Sequence, residues 1–335
     1  MSIADQIRRI KNAKAAIKQS IENKGVTVGD DVKLDKYAEY IDNIEVGSGS
    51  EYTWPDFWEL RTKNKYGYQY LFSYITIRES DARYKELIEN LDVSRFISYS
   101  DMFYKFNEGN DSNKIKELDL TKWKNMGQTL YYSIAGMFED CTLDYLNVSG
   151  LDFSNIASGT YFNIFYYTKV KEINMTNCNV SGIKNYYRFA YGATELVTIN
   201  MTGCDTSAMT SASGMFNNCT KLTTIIGELD ASNLTSGFYP GSSTNPFYNC
   251  TSLETLYLKN IYKDITVTDA SKFSIDLGVT KVKDECLVYI IDQLPNLADK
   301  GVTNNTAIKL TLPTVNTLTD EQKQVALDKG WIVVN

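Results

Sequence analysis

Val170-Lys-Glu-Ile173-Asn-Met175-Thr-Asn-Cys178 is followed 26 residues later by Leu196-Val-Thr-Ile199-Asn-Met201-Thr-Gly-Cys204. The apolar residues fall at the same offsets in both phrases, and a fixed period outranks any local signal of helix or strand. The spacing returns at Ile115-x-x-Leu118-x-Leu120-x-x-Trp123 and at Leu253-x-x-Leu256-x-Leu258-x-x-Ile261. A shorter copy is Leu143-x-x-Leu146-x-Val148-x-x-Leu151, and Leu222-x-x-Ile225 opens a degenerate one. Alternation within each phrase predicts a short strand with one buried face. A single copy covers only part of that face, so neighbouring coils must stack into one continuous core.

Aligning the phrases also aligns what precedes them. Met137-Phe138, Met215-Phe216 and Pro246-Phe247 share a register with Asn163-Ile164 and Phe189-Ala190. The anchors 103, 138, 164, 190, 216 and 247 are separated by 35, 26, 26, 26 and 31 residues, which puts the insertions toward the ends. The strand phrase resembles the leucine-rich-repeat pattern L-x-x-L-x-L-x-x-N/C. Met-Phe-x-x-Cys-Thr-x-Leu is similar to BspA-type leucine-rich-repeat surface proteins of gut bacteria and their phages, a resemblance that spans roughly half the chain. It implies an α/β repeat fold, a leucine-rich-repeat solenoid of about 26-residue coils with a small helical N-terminal module and an α/β C-terminal cap. Such arrays bind or build and carry no chemistry of their own.

Composition narrows the function. The chain has 335 residues, 43% of them hydrophobic, which is enough for a sizeable core. Its net charge of -7, without a basic block, argues against nucleic acid as a partner. It has no histidine. That removes the usual general base, the commonest transition-metal ligand and the common hydrolytic triads, so no enzyme activity, cofactor or metal is expected. Paired carboxylates can act on glycosides, but Asp and Glu are scattered and no pair stands out.

The segment Met1-Ser-Ile-Ala-Asp-Gln-Ile-Arg-Arg-Ile10 lacks the apolar run of a signal peptide, and no later run is long enough for a membrane span. Synthesis and folding in a cytoplasm, without membrane insertion, are expected. Three of the six cysteines, Cys141, Cys219 and Cys250, recur in the Met/Pro-Phe-x-x-Cys-Thr phrase, and Cys178 and Cys204 end two strand phrases. Repetition of position predicts small buried thiols rather than disulfides or metal ligands. Asn-x-Ser/Thr matches at Asn174, Asn218 and Asn249 read as by-products of the repeat.

Near the N-terminus, Ile3, Ile7, Ile10, Ile17 and Ile21, with Lys14 in the gap, form a heptad seam. The seam reads either as an amphipathic helix packing on its own domain or as a self-associating one, and Ile throughout favours a trimer. A second helix carries Leu34, Tyr37, Ala38, Ile41 and Ile44, and Val46-Gly-Ser-Gly-Ser50 reads as a linker. Residues 10–25 and 34–44 resemble N-terminal segments of tail, baseplate and fibre proteins of bacteriophages infecting Bacteroidetes and Firmicutes. The resemblance implies that residues 1–45 attach to other virion proteins and oligomerise.

The residue between the last two apolar positions of each phrase faces outward. Coil by coil this gives Asp119, Asn147, Asn174, Asn200, then Ile226 and Tyr257. The stripe, flanked by Tyr145 and Tyr257, reads as a surface that bonds sugar hydroxyls or a partner's backbone. Equally, it reads as an asparagine ladder that stabilises stacked strands. Twenty-four tyrosines suit carbohydrate or protein interfaces, yet the sequence singles out none as a site.

Residues 51–90, with the strand-like Tyr70-Leu-Phe-Ser-Tyr-Ile-Thr-Ile77, read as an N-terminal cap, and residues 91–280 as the repeat array. Residues 281–335 read as a C-terminal cap of helix 283–297, strand 307–312, helix 319–329 and strand 331–334. Thr319-Asp-Glu-Gln322 has capping-box spacing, and Gly330 stands where a helix should stop. Three functions compete. The first is a virion fibre, adaptor or receptor-binding protein contacting a host glycan or protein through its repeats. The second is a bacterial surface adhesin of BspA type, and the third a polysaccharide-degrading tail protein.

Overall fold

The computed structural model describes residues 14–15, 17–19, 21–22, 27–29, 32–33, 71–91, 93, 96, 98–123, 126, 134–154, 162–235, 244–263, 274–302 and 308–335. The chain divides into two compact units, Met1–Thr53 and Trp54–Asn335. In the first, the described residues between 14 and 22 are helical. The second helix, the Gly-Ser linker and the Trp54–Trp58 stretch lie outside the described residues.

The second unit is an α/β fold built mostly from parallel strands with few helices. β1 (Glu117–Asp119), β2 (Tyr145–Asn147), β3 (Glu172–Asn174), β4 (Thr198–Asn200), β5 (Thr224–Asp230) and β6 (Thr255–Lys259) lie side by side in sequence order. Leu118, Leu146, Ile173, Ile199 and Ile225 occupy one row of the register, and all five are buried. Each contributes roughly 1.5–3 kcal/mol on burial, so identical spacing in sequence becomes a continuous apolar seam. The strands are short because the chain turns away once one or two inward residues have been placed.

A second column fills the space behind the sheet. Phe72, Phe103, Phe138, Phe165, Phe189, Phe216 and Phe247 form successive ring pairs at 5.1, 5.1, 5.6, 5.2, 5.8 and 6.3 Å. With Ala190 rather than Phe189 as the fifth anchor, each anchor amide donates to the carbonyl just before the next anchor, as in Phe103 to Met137, Ala190 to Met215 and Phe216 to Pro246, each at 2.8 Å. Two residues after each anchor the backbone is left-handed, at Tyr74, Lys105, Asp140, Tyr167, Gly192, Asn218 and Asn249.

Three sequence expectations change here. Leu71–Tyr74 is a turn rather than part of a strand. Phe72 sits at the anchor and stacks on Phe103, so the alternation of aromatics in 70–77 reflects a turn packed like its successors. The fourth anchor is Phe165, one residue after the expected Ile164, because Phe138 donates to the Ile164 carbonyl and Tyr167 carries the left-handed turn. A uniform period averaged over a long unit followed by a short one. The degenerate copy at Leu222 holds the longest strand among the described residues, β5, whose register slips between Thr224 and Glu228 around Gly227. A Cβ on Gly227 would come within 2.9 Å of the Met201 backbone, so glycine is what permits that bulge.

Helices close both sheet edges. α1 (Ala82–Glu89) brings the Glu89 carboxylate to the Asp119 amide at 2.8 Å and the Ile88 carbonyl to the Trp123 indole N–H at 2.6 Å. At the far edge, α2 (Asp284–Gln293) presents the Gln293 side-chain oxygen to the Asn260 amide at 3.0 Å. α2 is shorter than the expected 283–297. Leu294 leaves helical geometry with ψ 135° ahead of Pro295, as the residue before proline prefers. The chain then builds a parallel three-stranded sheet of β7 (Ile275–Asp276), β8 (Lys309–Thr311) and β9 (Ile332–Val334), with α3 (Asp320–Asp328) between the last two. The Thr319–Gln322 capping box is complete. At the other end of α3, Gly330 at φ 85° lets its own amide reach the Leu327 carbonyl and Trp331 the Ala326 carbonyl. That is the Schellman arrangement.

Candidate functional site

The outward stripe exists as a register row: Asp119, Asn147, Asn174, Asn200 and Ile226 are successive partners across the sheet. The side-chain oxygens are not idle. Asp119, Asn147, Asn174 and Asn200 each accept from the backbone N–H two residues on, at 2.9, 3.2, 3.0 and 3.0 Å. These are Asx turns, which bend the chain as it leaves each strand. The Asn147 amide also reaches Asp119 across the sheet at 3.4 Å. What Asn174 and Asn200 offer outward is their NH2 group.

A second Asx column, missed in the sequence reading, runs beside the first. Asp152, Asn179, Asp205 and Asp230 accept from the amides of Ser154, Ser181, Ser207 and Ser232 at 2.9, 3.3, 3.0 and 3.0 Å. Its signal was the triplet Asx-x-Ser, repeated once per unit. The bulge in β5 carries that strand straight into this column, which is why Ile226, 40% exposed, interrupts the polar stripe.

The tyrosines flanking the stripe differ. Tyr145 sits in the row of Glu117 and Glu172 and is half-buried. Tyr257 lies edge-on to Tyr289 of α2 at 5.2 Å, and the Tyr289 hydroxyl donates to Glu228 at 2.5 Å. Burial, then the bond to Glu228, pushes the Tyr289 phenol up to about 12. Of the N-terminal seam, Ile21 is buried while Ile17 is 38% exposed. Ile3, Ile7 and Ile10 lie outside the described residues.

Among the described residues, a further group of aromatic side chains lies on the edge formed by the anchor turns. Tyr74, Tyr104, Tyr166, Tyr167, Tyr191 and Tyr248 follow the anchors by one or two residues. Tyr74 and Tyr104 meet at 5.3 Å, with the Lys105 ammonium 5.9 and 5.7 Å from their rings. Tyr166 meets Tyr167 at 4.4 Å and Tyr191 at 5.7 Å. Between these clusters, burial and the charges of Asp101 and Asp140 push the Glu139 carboxyl up to about 7. Sequence reading counted these tyrosines without placing them, because the turn register was needed to align them.

All six cysteines are unpaired and buried. The thiols of Cys178, Cys204, Cys219 and Cys250 donate to the carbonyls of Val148, Met175, Ala190 and Phe216, 3.0 to 3.1 Å away in the preceding unit. The neighbouring Cys204 thiol and burial hold Cys178 well above the usual thiol range.

A family described as "Mycoplasma protein of unknown function, DUF285" matches residues 132–252. That stretch covers β2 to β5 and the anchor turns from Phe138 to Phe247, and the family relates loosely to BspA-like repeat proteins. No curated protein and no solved structure matches the chain.

Proposed function

We propose that this chain is a non-enzymatic bacteriophage virion protein, a fibre, a tail or baseplate adaptor or a receptor-binding protein, in which a leucine-rich-repeat solenoid presents a surface to a host or partner molecule. The observation that carries the reading is the sheet itself. Six parallel strands follow one another in sequence order, each adding one outward row of side chains, with a helix at either edge. Such an array grows a long surface without a catalytic cleft. The resemblance of residues 10–25 and 34–44 to phage attachment segments supplies the virion part, with residues 1–45 docking on neighbouring virion proteins and self-associating, a trimer being favoured.

The family match across residues 132–252 favours a second reading, a bacterial surface adhesin of BspA type. Antibody raised against the full chain separates the two by immunogold electron microscopy of the source strain before and after prophage induction. Label on the projections of released particles is the expected result. Label confined to the cell envelope would replace the first reading by the second.

A further inference from the structure

We propose that the turn edge around Arg188 binds an acidic saccharide, with the guanidinium receiving a sugar carboxylate and the surrounding tyrosines stacking on the sugar ring. The proposal rests on the reading of the array as a presenting surface and assigns that role to its edge rather than to the asparagine stripe.

Arg188 is held before any ligand arrives. Its Cζ lies 5.0 and 4.9 Å from the ring centroids of Tyr187 and Tyr191, and Nη1 donates to the Tyr166 hydroxyl at 3.5 Å. Contact with rings satisfies the flat faces of a guanidinium, while its N–H bonds radiate in the plane. No carboxylate among the described residues is paired with it. A fixed, uncancelled guanidinium edge matches a planar oxyanion in bidentate fashion. Arg188 adopts φ 56°, two residues before its anchor, where the units of Phe138 and Phe216 use Gly136 and Gly214. Asp101 holds the equivalent position before Phe103 at φ 53°, so the turn accepts a side chain there and does not itself require arginine.

The stacking surface is equally specific. Tyr167 is 42% exposed, and its ring lies against Gly192, where a Cβ would fall 2.3 Å from the ring atoms. The interplanar angle of 64° between Tyr166 and Tyr167 makes a corner rather than a flat plate. A pyranose has an apolar C–H face that packs on an aromatic face and a rim of hydroxyls that pairs with phenols. Of the nearby acids, Asp140 and Glu108 are paired with Lys169, at 3.2 and 3.3 Å, and burial with the charges of Asp101 and Asp140 raises the Glu139 carboxyl toward its neutral form. One cation in an aromatic corner fits one charged ring.

Titration calorimetry of the full chain with trigalacturonate, maltotriose and a sulfated chondroitin disaccharide tests the assignment. Trigalacturonate should bind saturably, at least tenfold more tightly than maltotriose, and less tightly as salt rises. Arg188→Gln should cost tenfold or more for trigalacturonate and leave maltotriose unchanged, whereas Tyr167→Ala should weaken both. If circular dichroism shows that Arg188→Gln does not fold, Arg188→Lys keeps the charge without the planar fork and should still lose severalfold. Equal affinity for the neutral trisaccharide, a preference for the sulfated sugar, or an Arg188→Gln protein indistinguishable from wild type would overturn the proposal. A wild-type chain that labels host cells as strongly as Arg188→Gln does would refute this site and leave the presenting-surface reading standing. Binding to neither cells nor glycans would sink both.

Discussion

Asn174 and Asn200 illustrate how one residue serves two demands. Each side-chain oxygen is held by the amide of Thr176 or Thr202 at 3.0 Å, so these residues shape the turns whatever they also bind. Removing one such bond costs about 1 kcal/mol. The double substitution Asn174→Ala/Asn200→Ala should therefore lower the urea midpoint by an amount equivalent to about 2 kcal/mol. The Asp/Asp pair keeps both acceptors and should retain most of that stability. An Ala/Ala protein as stable as wild type would show that the side chains do not support the fold. Glu139 supplies a pH signature. Its folded value of about 7 lies above its ordinary 4.5, through burial and then the charges of Asp101 and Asp140. A carboxyl raised on folding contributes stability that is complete below about 4.5 and is lost as pH rises through 7. Glu139→Gln should thus melt higher than wild type at pH 8 and level with it near pH 4 in thermal scans. A difference that grows on acidification would contradict the burial argument.

At the scale of elements, the two sheet edges pose the same problem and receive the same solution. An edge strand leaves N–H groups unpaired and invites another chain to add on. Here a helix side chain accepts that hydrogen, Glu89 at β1 and Gln293 beyond β6. Gln293→Ala leaves the Asn260 amide without its acceptor. Its cost should be about 1 kcal/mol, and hydrogen exchange at Asn260 should quicken while the β3 amides stay protected. Unchanged exchange at Asn260 would mean that Gln293 does not close the edge. The α3 boundaries were legible because the Thr319 capping box and Gly330 are local devices. Gln293 was not, since nothing in sequence ties a helix residue to a strand 33 positions earlier.

Across the whole molecule, periodic thiols report the stacking. Cys178, Cys204, Cys219 and Cys250 donate one unit backward to a carbonyl, and burial pushes Cys250 up to about 12. The bond from Cys178 lowers Cys204, yet a buried thiol is inert to reagents in solution. Thiol counting should find six reactive groups per chain in denaturant and almost none in the native protein. Two or fewer in denaturant without reductant would mean that disulfides, not packing, connect the units.

The sequence by itself determined the order of the parallel strands, the inward row from Leu118 to Ile225 and the buried cysteines, since each follows from a period that every unit must share to bury its apolar residues. It also placed the outward stripe in the right row, because alternation in a strand has only two faces. Only the tertiary structure decided the register of the anchor turns, the bulge at Gly227 and the helices at the sheet edges. Hydrogen bonds between units set those features locally, and a one-residue gain in one unit with a loss in the next leaves the average period unchanged. The tyrosine edge belongs to the second class. Tyr166 and Tyr167 lie one unit before Tyr187 and Tyr191 in sequence, and the left-handed turns at Tyr167 and Gly192 are what bring their rings around Arg188.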